Sequence, residues 1–259
     1  MEQIENQEFD QEFKLNYIGS TRIGIVTINQ NTYFKKISIQ SLKSEYDILQ
    51  MLHNEHIIQV HSISPNNKSM IFEYCSKGDL SNIKIISKPE DLINTFQQLC
   101  RSIQYLHSMG FCHLDIKLEN FVIAEDGKIK LIDFGHAQEC CKRVKHELGT
   151  KNYNAPERKT CDYDGLKADI FSLGICLFRL HCGVYPFSGS DEISQQKRKQ
   201  FNINNERYWY RVEDYLTKNY SDFIGLDEEA TKLIELMCNE DPEKRPNIDE
   251  VLQHSFFEL

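Results

Sequence analysis

The chain has 259 residues, 40% of them hydrophobic, so it can bury a sizeable core, and it contains no apolar run long enough to span a bilayer. Its formal net charge of −9 argues against nucleic acid or an anionic membrane as the main partner and favours basic ones. Nine scattered cysteines without a Cys-x-x-Cys pair, behind a start with neither a basic region nor an apolar stretch, fit a reduced, intracellular, cytoplasmic protein, with the nucleus also open to it.

Residues 1–12 are acidic and Gln-rich and read as a short extension. A β-rich pass follows: Phe13–Gly19, Gly24–Ile28, a polar turn at Asn29-Gln30-Asn31, and Thr32–Ile37. Leu42–Leu52 carries Glu45, Ile48, Leu49 and Leu52 at helical spacing. From Pro89 the period becomes helical. There Leu92, Phe96, Leu99, Ile103 and Leu106 form one stripe that ends at Met109-Gly110.

The next stretch, His113-Leu114-Asp115-Ile116-Lys117-Leu118-Glu119-Asn120, leads into two short β-type runs separated by Asp126-Gly127, a hairpin signal. The hairpin returns Asp133-Phe134-Gly135 beside Asn120. An Asp and an Asn on adjacent loops make an oxygen-rich cage that suits Mg²⁺, and Asp115 is left to accept a proton. Residues 136–148 are polar and contain no Ser, Thr or Tyr. Asp169–Phe178 is apolar on nearly every side and reads as a buried central helix, where Asp169 needs hydrogen-bond donors. Residues 188–226 hold Trp209 and several tyrosines but no assignable motif; surface docking and ordinary packing fit Trp209 equally.

Asp-x-Lys-x-x-x-Asn followed after one hairpin by Asp-Phe-Gly resembles the catalytic and metal-binding loops of eukaryotic protein kinases. Gly149-Thr150-Lys151-Asn152-Tyr153-Asn154-Ala155-Pro156-Glu157 matches that family's Gly-Thr-x-x-Tyr-x-Ala-Pro-Glu, and the likeness runs in order over 13–257. It implies an α+β, two-lobed kinase fold: a small β-rich N-lobe with one main helix (13–72), a hinge (73–78), and a larger, mainly helical C-lobe (79–257).

The resemblance also implies roles. Asp115 would orient and deprotonate a substrate hydroxyl, and Lys117 would contact the transferred phosphoryl group. Asn120 and Asp133 would hold Mg²⁺. Gly19 and Gly24 stand in a glycine-rich loop over the ATP phosphates, with Lys35 on them and Glu45 bracing Lys35; Lys36 is a rival by one register step. Backbone groups of Glu73 to Cys75 would bond adenine, with Phe72 as gatekeeper, and Val26, Leu80 and Val122 would sandwich it. His113 would pack under Phe134 in a column with Leu49 and Val60. Asp169 would hold the catalytic loop, and Arg245 would pair with Glu157. Lys117 and Thr150 resemble serine/threonine rather than tyrosine kinases.

Several positions depart from the family pattern. The usual His-Arg-Asp is His-Leu-Asp, so Leu114 cannot pair with a phosphate; Thr21 replaces the second glycine. Tyr33 stands two residues before Lys35, where the family has a small alanine facing adenine, and taking Lys36 instead puts Phe34 there. Two functions of different classes therefore fit: ATP- and Mg²⁺-dependent phosphoryl transfer to protein substrates, with basic ones the expected class, or a pseudokinase scaffold. Asp79 and Glu119 match positions where some kinases hold a basic residue of the substrate.

Overall fold

A computed structural model describes residues 16–18, 21–145, 148–160, 162–186, 206–221 and 223–258, the first group and Thr160 by backbone alone. Strands β1 (Asn16–Ile18), β2 (Thr21–Ile28), β3 (Asn31–Ser38), β4 (Val60–Ile63) and β5 (Ser69–Glu73) form one antiparallel sheet in the order β1-β2-β3-β5-β4. The β2–β3 connection is a two-residue turn with Asn29 and Gln30 both at positive φ, the geometry whose twist matches a tight hairpin. It fixes the register over all eight β2 positions, with Gly24 opposite Lys35 and Ile25 opposite Phe34. Gly19, between β1 and β2 in sequence, lies outside the described residues.

Helix α1 (Lys43–Met51) lies between β3 and β4 in sequence and turns Glu45 and Leu49 inward. Helix α2 (Pro89–Ser108) starts with Pro89 in its first turn, where a missing N–H costs nothing, and has Glu90 and Asp91 against the positive end of the dipole. Its stripe of Leu92, Phe96, Leu99, Ile103 and Leu106 is buried as the spacing implied.

The short pairs β6 (Phe111–Cys112) with β9 (Gln138–Glu139), and β7 (Phe121–Ile123) with β8 (Ile129–Leu131), frame the segment 113–135. Helix α3 (Gly165–Cys182) is longer than its apolar run and is buried almost all round. Asp164 caps its start by accepting from Leu166 and Lys167 N–H. Gly183 ends it at φ 69°, where a Cβ would also strike the Lys84 carbonyl oxygen at 2.7 Å.

Helices α4 (Glu206–Asn219), α5 (Glu228–Met237) and α6 (Ile248–Leu252) complete the helical part. Trp209 packs: its ring lies 5.7 Å from that of Phe178 and its Nε1 donates to Glu235 Oε1 at 2.6 Å. Residues 188–205 and 222 of the unassigned stretch lie outside the described residues. One core cluster runs from Leu42 through α2 and α3 to Phe256, so sheet and helices share a single interior. Cys100, Cys176 and Cys238 are buried in it as free thiols.

Candidate active site

Alternate residues of a strand face opposite sides of the sheet. The structure turns Lys36, not Lys35, into the interior gap. Lys36 Nζ meets both Glu45 oxygens at 2.9 and 2.8 Å and Asp133 Oδ1 at 2.8 Å. This corrects the expectation that Lys35 is the lysine braced by Glu45: Lys35 lies on the other face, with Tyr33 and Val26. Val26, expected among the residues that sandwich adenine, thus stands on the face opposite to Lys36. Tyr33 sits edge-on to His61 at 5.2 Å, away from the cleft.

The face that Lys36 shares is lined by Ile23, Ile25 and Phe34, and the Phe34 ring lies 6.3 Å from that of Phe72. A bulky ring therefore does stand in the roof, but it is Phe34. Burial is the largest influence on Lys36 and disfavours its charge, yet the carboxylates of Glu45 and Asp133 outweigh it and hold its pKa above the ordinary lysine value. For Glu45, burial wins over the lysine, with Asp133 adding repulsion, so its pKa is raised. The ammonium shared by two carboxylates keeps Lys36 charged, while burial and the neighbouring Asp133 carboxylate make Glu45 protonate more readily than a free glutamate.

The catalytic loop hangs from α3. The buried Asp169 accepts from His113 N–H at 2.7 Å and Leu114 N–H at 2.8 Å, and contacts His107 Nε2 at 3.1 Å. Desolvation works against its charge, but His107 and other nearby positive charge leave its pKa below the usual aspartate value. Leu114 is thereby held at φ 65°, a conformation that costs a leucine on the order of 1–3 kcal/mol. Its side chain is fully buried.

Asp115, Lys117 and Thr150 form a closed triangle. Lys117 Nζ donates to Asp115 Oδ2 at 2.7 Å and to Thr150 Oγ1 at 3.0 Å, while Thr150 donates to Asp115 Oδ1 at 2.8 Å. Burial would raise the Asp115 pKa, but these partners overcome it and hold the carboxyl below its ordinary range. Such a carboxyl is a weak base held in one orientation.

His113 lies under Phe134, with ring centroids 5.1 Å apart, in the core cluster that includes Leu49 and Val60. Its Nδ1 accepts from Asp115 N–H at 3.3 Å, and its Nε2 is 3.1 Å from the Ile132 carbonyl oxygen, which fits a neutral ring with the proton on Nε2. Burial lowers its pKa in keeping with that state.

Asn120 donates its side-chain amide to the Asp115 main-chain carbonyl oxygen at 2.8 Å, and its main-chain carbonyl oxygen accepts from Ile132 N–H at 2.9 Å across the hairpin. Asp133 follows at φ 62°, also in the left-handed region, with its side chain 46% exposed. Burial opposes its charge, Lys36 outweighs that, and its pKa is lowered. One amide oxygen and one ionised carboxylate on adjacent loops are hard donors that fit Mg²⁺, which takes its remaining ligands from phosphates and water.

At the sheet's exit, Glu73 N–H is bonded to the Gln59 carbonyl oxygen, and its side chain takes Lys130 at 2.9 Å. Burial pushes the nearby Cys75 thiol up to about 11, so it stays protonated. Val122 is half-buried beside Asp79, whereas Leu80 is 1% exposed. Leu80 is part of the core cluster.

Farther down, Arg245 holds Glu157 through Nη1 and Nη2 at 2.5 and 2.9 Å, donates to the Asn239 and Lys167 carbonyl oxygens, and covers the Phe171 ring. Asp79 is engaged as a cap for Ser81, and Glu119 accepts from the Tyr153 hydroxyl. Reading the sequence did not single out Ile25, His107 or Arg158. His107 gave the one usable signal, a polar residue continuing the α2 stripe.

The protein kinase domain family matches residues 21–257. Among similar proteins, serine/threonine-protein kinase kin-29 of Caenorhabditis elegans is 31% identical over 93% of this chain and 28% of its own length. Maternal embryonic leucine zipper kinase of Xenopus tropicalis is 30% identical over 82% of this chain and 32% of its own length. The probable serine/threonine-protein kinase fhkE of Dictyostelium discoideum is 30% identical over 91% and 34%. The chain thus spans about a third of the length of these relatives. A sheet lobe leading into a helical lobe, with Lys36, Glu45 and Asp133 joined beside the Asp115 loop, agrees with that match, and the chain belongs to the protein kinase domain family.

Proposed function

We propose that this chain transfers the γ-phosphoryl group of ATP to serine or threonine hydroxyls of protein substrates. The observation that carries the reading is the joined cluster of Lys36, Glu45 and Asp133 next to the Asp115–Lys117–Thr150 triangle. Phosphoryl transfer asks the protein mainly to position groups and neutralise charge. Lys36, braced by Glu45, would hold the α- and β-phosphates. Asp115 would accept the hydroxyl hydrogen bond and take its proton, and Lys117 would sit on the transferred group. Thr150, already bonded to both, fits a serine/threonine acceptor. Mg²⁺, held by Asn120 and Asp133, would supply charge neutralisation at the phosphate oxygens. The backbone of Glu73 to Cys75 would take the adenine, with Ile25 and Phe34 above it and Val122 below. The kinase domain is taken as 13–257, with the hinge at 73–78.

Basic peptides are the proposed substrates, on the net charge of −9 and the carboxylates of Asp79 and Glu119. Both carboxylates are partly engaged within the fold, so the preference rests on the field as much as on contacts. A peptide library showing a choice for acidic residues upstream of the acceptor would overturn it. No helix among the described residues is long and apolar enough to cross a membrane.

The second reading, a scaffold without turnover, is favoured by one observation, the Phe34 ring in the roof beside Phe72. A nucleotide-binding titration with and without Mg²⁺, followed by a turnover assay, separates the two. The kinase reading expects Mg²⁺-dependent ATP binding and product; no binding at millimolar ATP would end it.

A further inference from the structure

The family's usual loop places an arginine where this chain has Leu114, and residues 136–148 offer no hydroxyl to phosphorylate. The positive charge that orders this region comes from elsewhere. Arg158, directly after Glu157, is 1% exposed. Its Nη1 donates to the Leu114 carbonyl oxygen at 2.5 Å and to the Leu148 carbonyl oxygen at 3.0 Å, and its Nη2 reaches Ser172 Oγ on α3 at 3.3 Å. The guanidinium also lies 5.9 Å from the Tyr163 ring centroid and adds positive charge near the buried Asp169. Leu114 is therefore clamped at both ends, its N–H by Asp169 and its carbonyl by Arg158, around a positive φ.

The neighbouring sequence is shaped to this group. A Cβ on Gly149 would lie 2.5 Å from Arg158 Nη1 and 2.6 Å from the Leu114 carbonyl oxygen, at a φ of +86°. Only glycine lets the segment pass the guanidinium this closely. The planar fork serves two carbonyls and a hydroxyl at once, which a lysine ammonium on a flexible stem does less well.

We propose that Arg158 is a positioning residue for phosphoryl transfer: a resident cation that locks the catalytic-loop backbone to the end of the activation segment and makes that arrangement independent of a phosphate. The usual logic is inverted, since the segment's own end supplies the charge and the loop supplies the acceptors. This rests on the kinase reading above.

The test compares wild type, Arg158→Met and Arg158→Lys in the whole chain by kcat, ATP affinity, and amide exchange of 113–120 and 148–158 against α2 as internal control. The Met variant should lose kcat on the order of tenfold or more, the scale of a removed hydrogen bond to a charged donor, with ATP affinity little changed. Exchange should quicken in the two segments and not in α2. The Lys variant should recover part of both, and phosphatase-treated wild type should keep its rate.

The proposal falls if the Met variant matches wild type in rate and exchange, or if α2 exchange rises equally, which would mean a general loss of stability. It also falls if phosphatase abolishes wild-type activity. If the Met variant does not fold, the Lys variant is read by the same criteria. If wild type shows no turnover, the kinase reading and with it the role in phosphoryl transfer fail, and the exchange comparison decides only whether Arg158 locks the two segments together.

Discussion

The catalytic loop and the roof of the cleft carry charges that must meet at one point, but they are held by different means. In the loop, the backbone is fixed by hydrogen bonds: Asp169 takes two N–H groups, Asn120 bonds back to Asp115, and the hairpin returns Asp133 through the Ile132–Asn120 bond. In the roof, the sheet register alone decides which of two adjacent lysines faces in. A register-set site tolerates substitution on the same face, and here it holds Phe34 and Ile25.

The sharpest way to break this contrast is Asp115→Asn. Loss of a positioned base typically costs on the order of 10²–10⁴ in rate. The variant should keep ATP binding and lose turnover by that scale, because the roof is untouched. An equal loss of binding in a nucleotide titration would mean that the two regions are not separable.

Next in size is the lysine pair. Lys36→Met should lower kcat/KM by roughly 10²–10³, the scale for removing one preorganised electrostatic group. Lys35→Met, on the opposite face, should leave kcat/KM close to wild type. The reverse ranking would show that the strand slips by one residue when nucleotide binds.

These two tests mark the limit of what the residues made legible. The α2 stripe, the hairpin and the pairing of Arg245 with Glu157 were readable because each rests on local periodicity, turn chemistry or a linear motif. Choosing between Lys35 and Lys36 needed the eight-position ladder from β2 to β3, and β2's own faces are hard to read because it is apolar at both Ile25 and Val26. The same one-residue step moved Tyr33 and Val26 out of the cleft. Arg158 was not legible at all: next to a motif it reads as a solvated charge, and only its two carbonyl acceptors, from residues 44 and 10 positions away, show otherwise.

A smaller effect is expected at the roof itself. Overfilling a packed site costs ~1–3 kcal/mol, so Phe34→Ala should tighten ATP binding by about tenfold or more, while Tyr33→Ala should not. The ring also packs toward Phe72, so the gain is read as a Kd ratio alongside thermal stability. Unchanged or weaker ATP binding in the Ala variant at unchanged stability would place Phe34 outside the nucleotide path.

The smallest effect separates the two regions by the sign of their pH linkage. Stability rises with pH where the unfolded chain binds more protons than the folded one. Asp115 has a lowered folded pKa, so its contribution is present above the unfolded aspartate value, about 3.9, and is lost as pH falls through the folded value. Glu45 has a raised folded pKa, so the folded chain holds the extra proton above the unfolded glutamate value, about 4.3. Its contribution therefore declines as pH rises through that window. The stability gap between wild type and Glu45→Gln should narrow with rising pH above about 4.3, whereas the gap for Asp115→Asn should widen with rising pH below about 3.9. Denaturant titrations across both windows measure the two slopes. A gap for Glu45→Gln that widens with pH would mean that Lys36 holds Glu45 ionised as firmly as Lys117 holds Asp115, and the contrast between the regions would then rest on backbone anchoring alone.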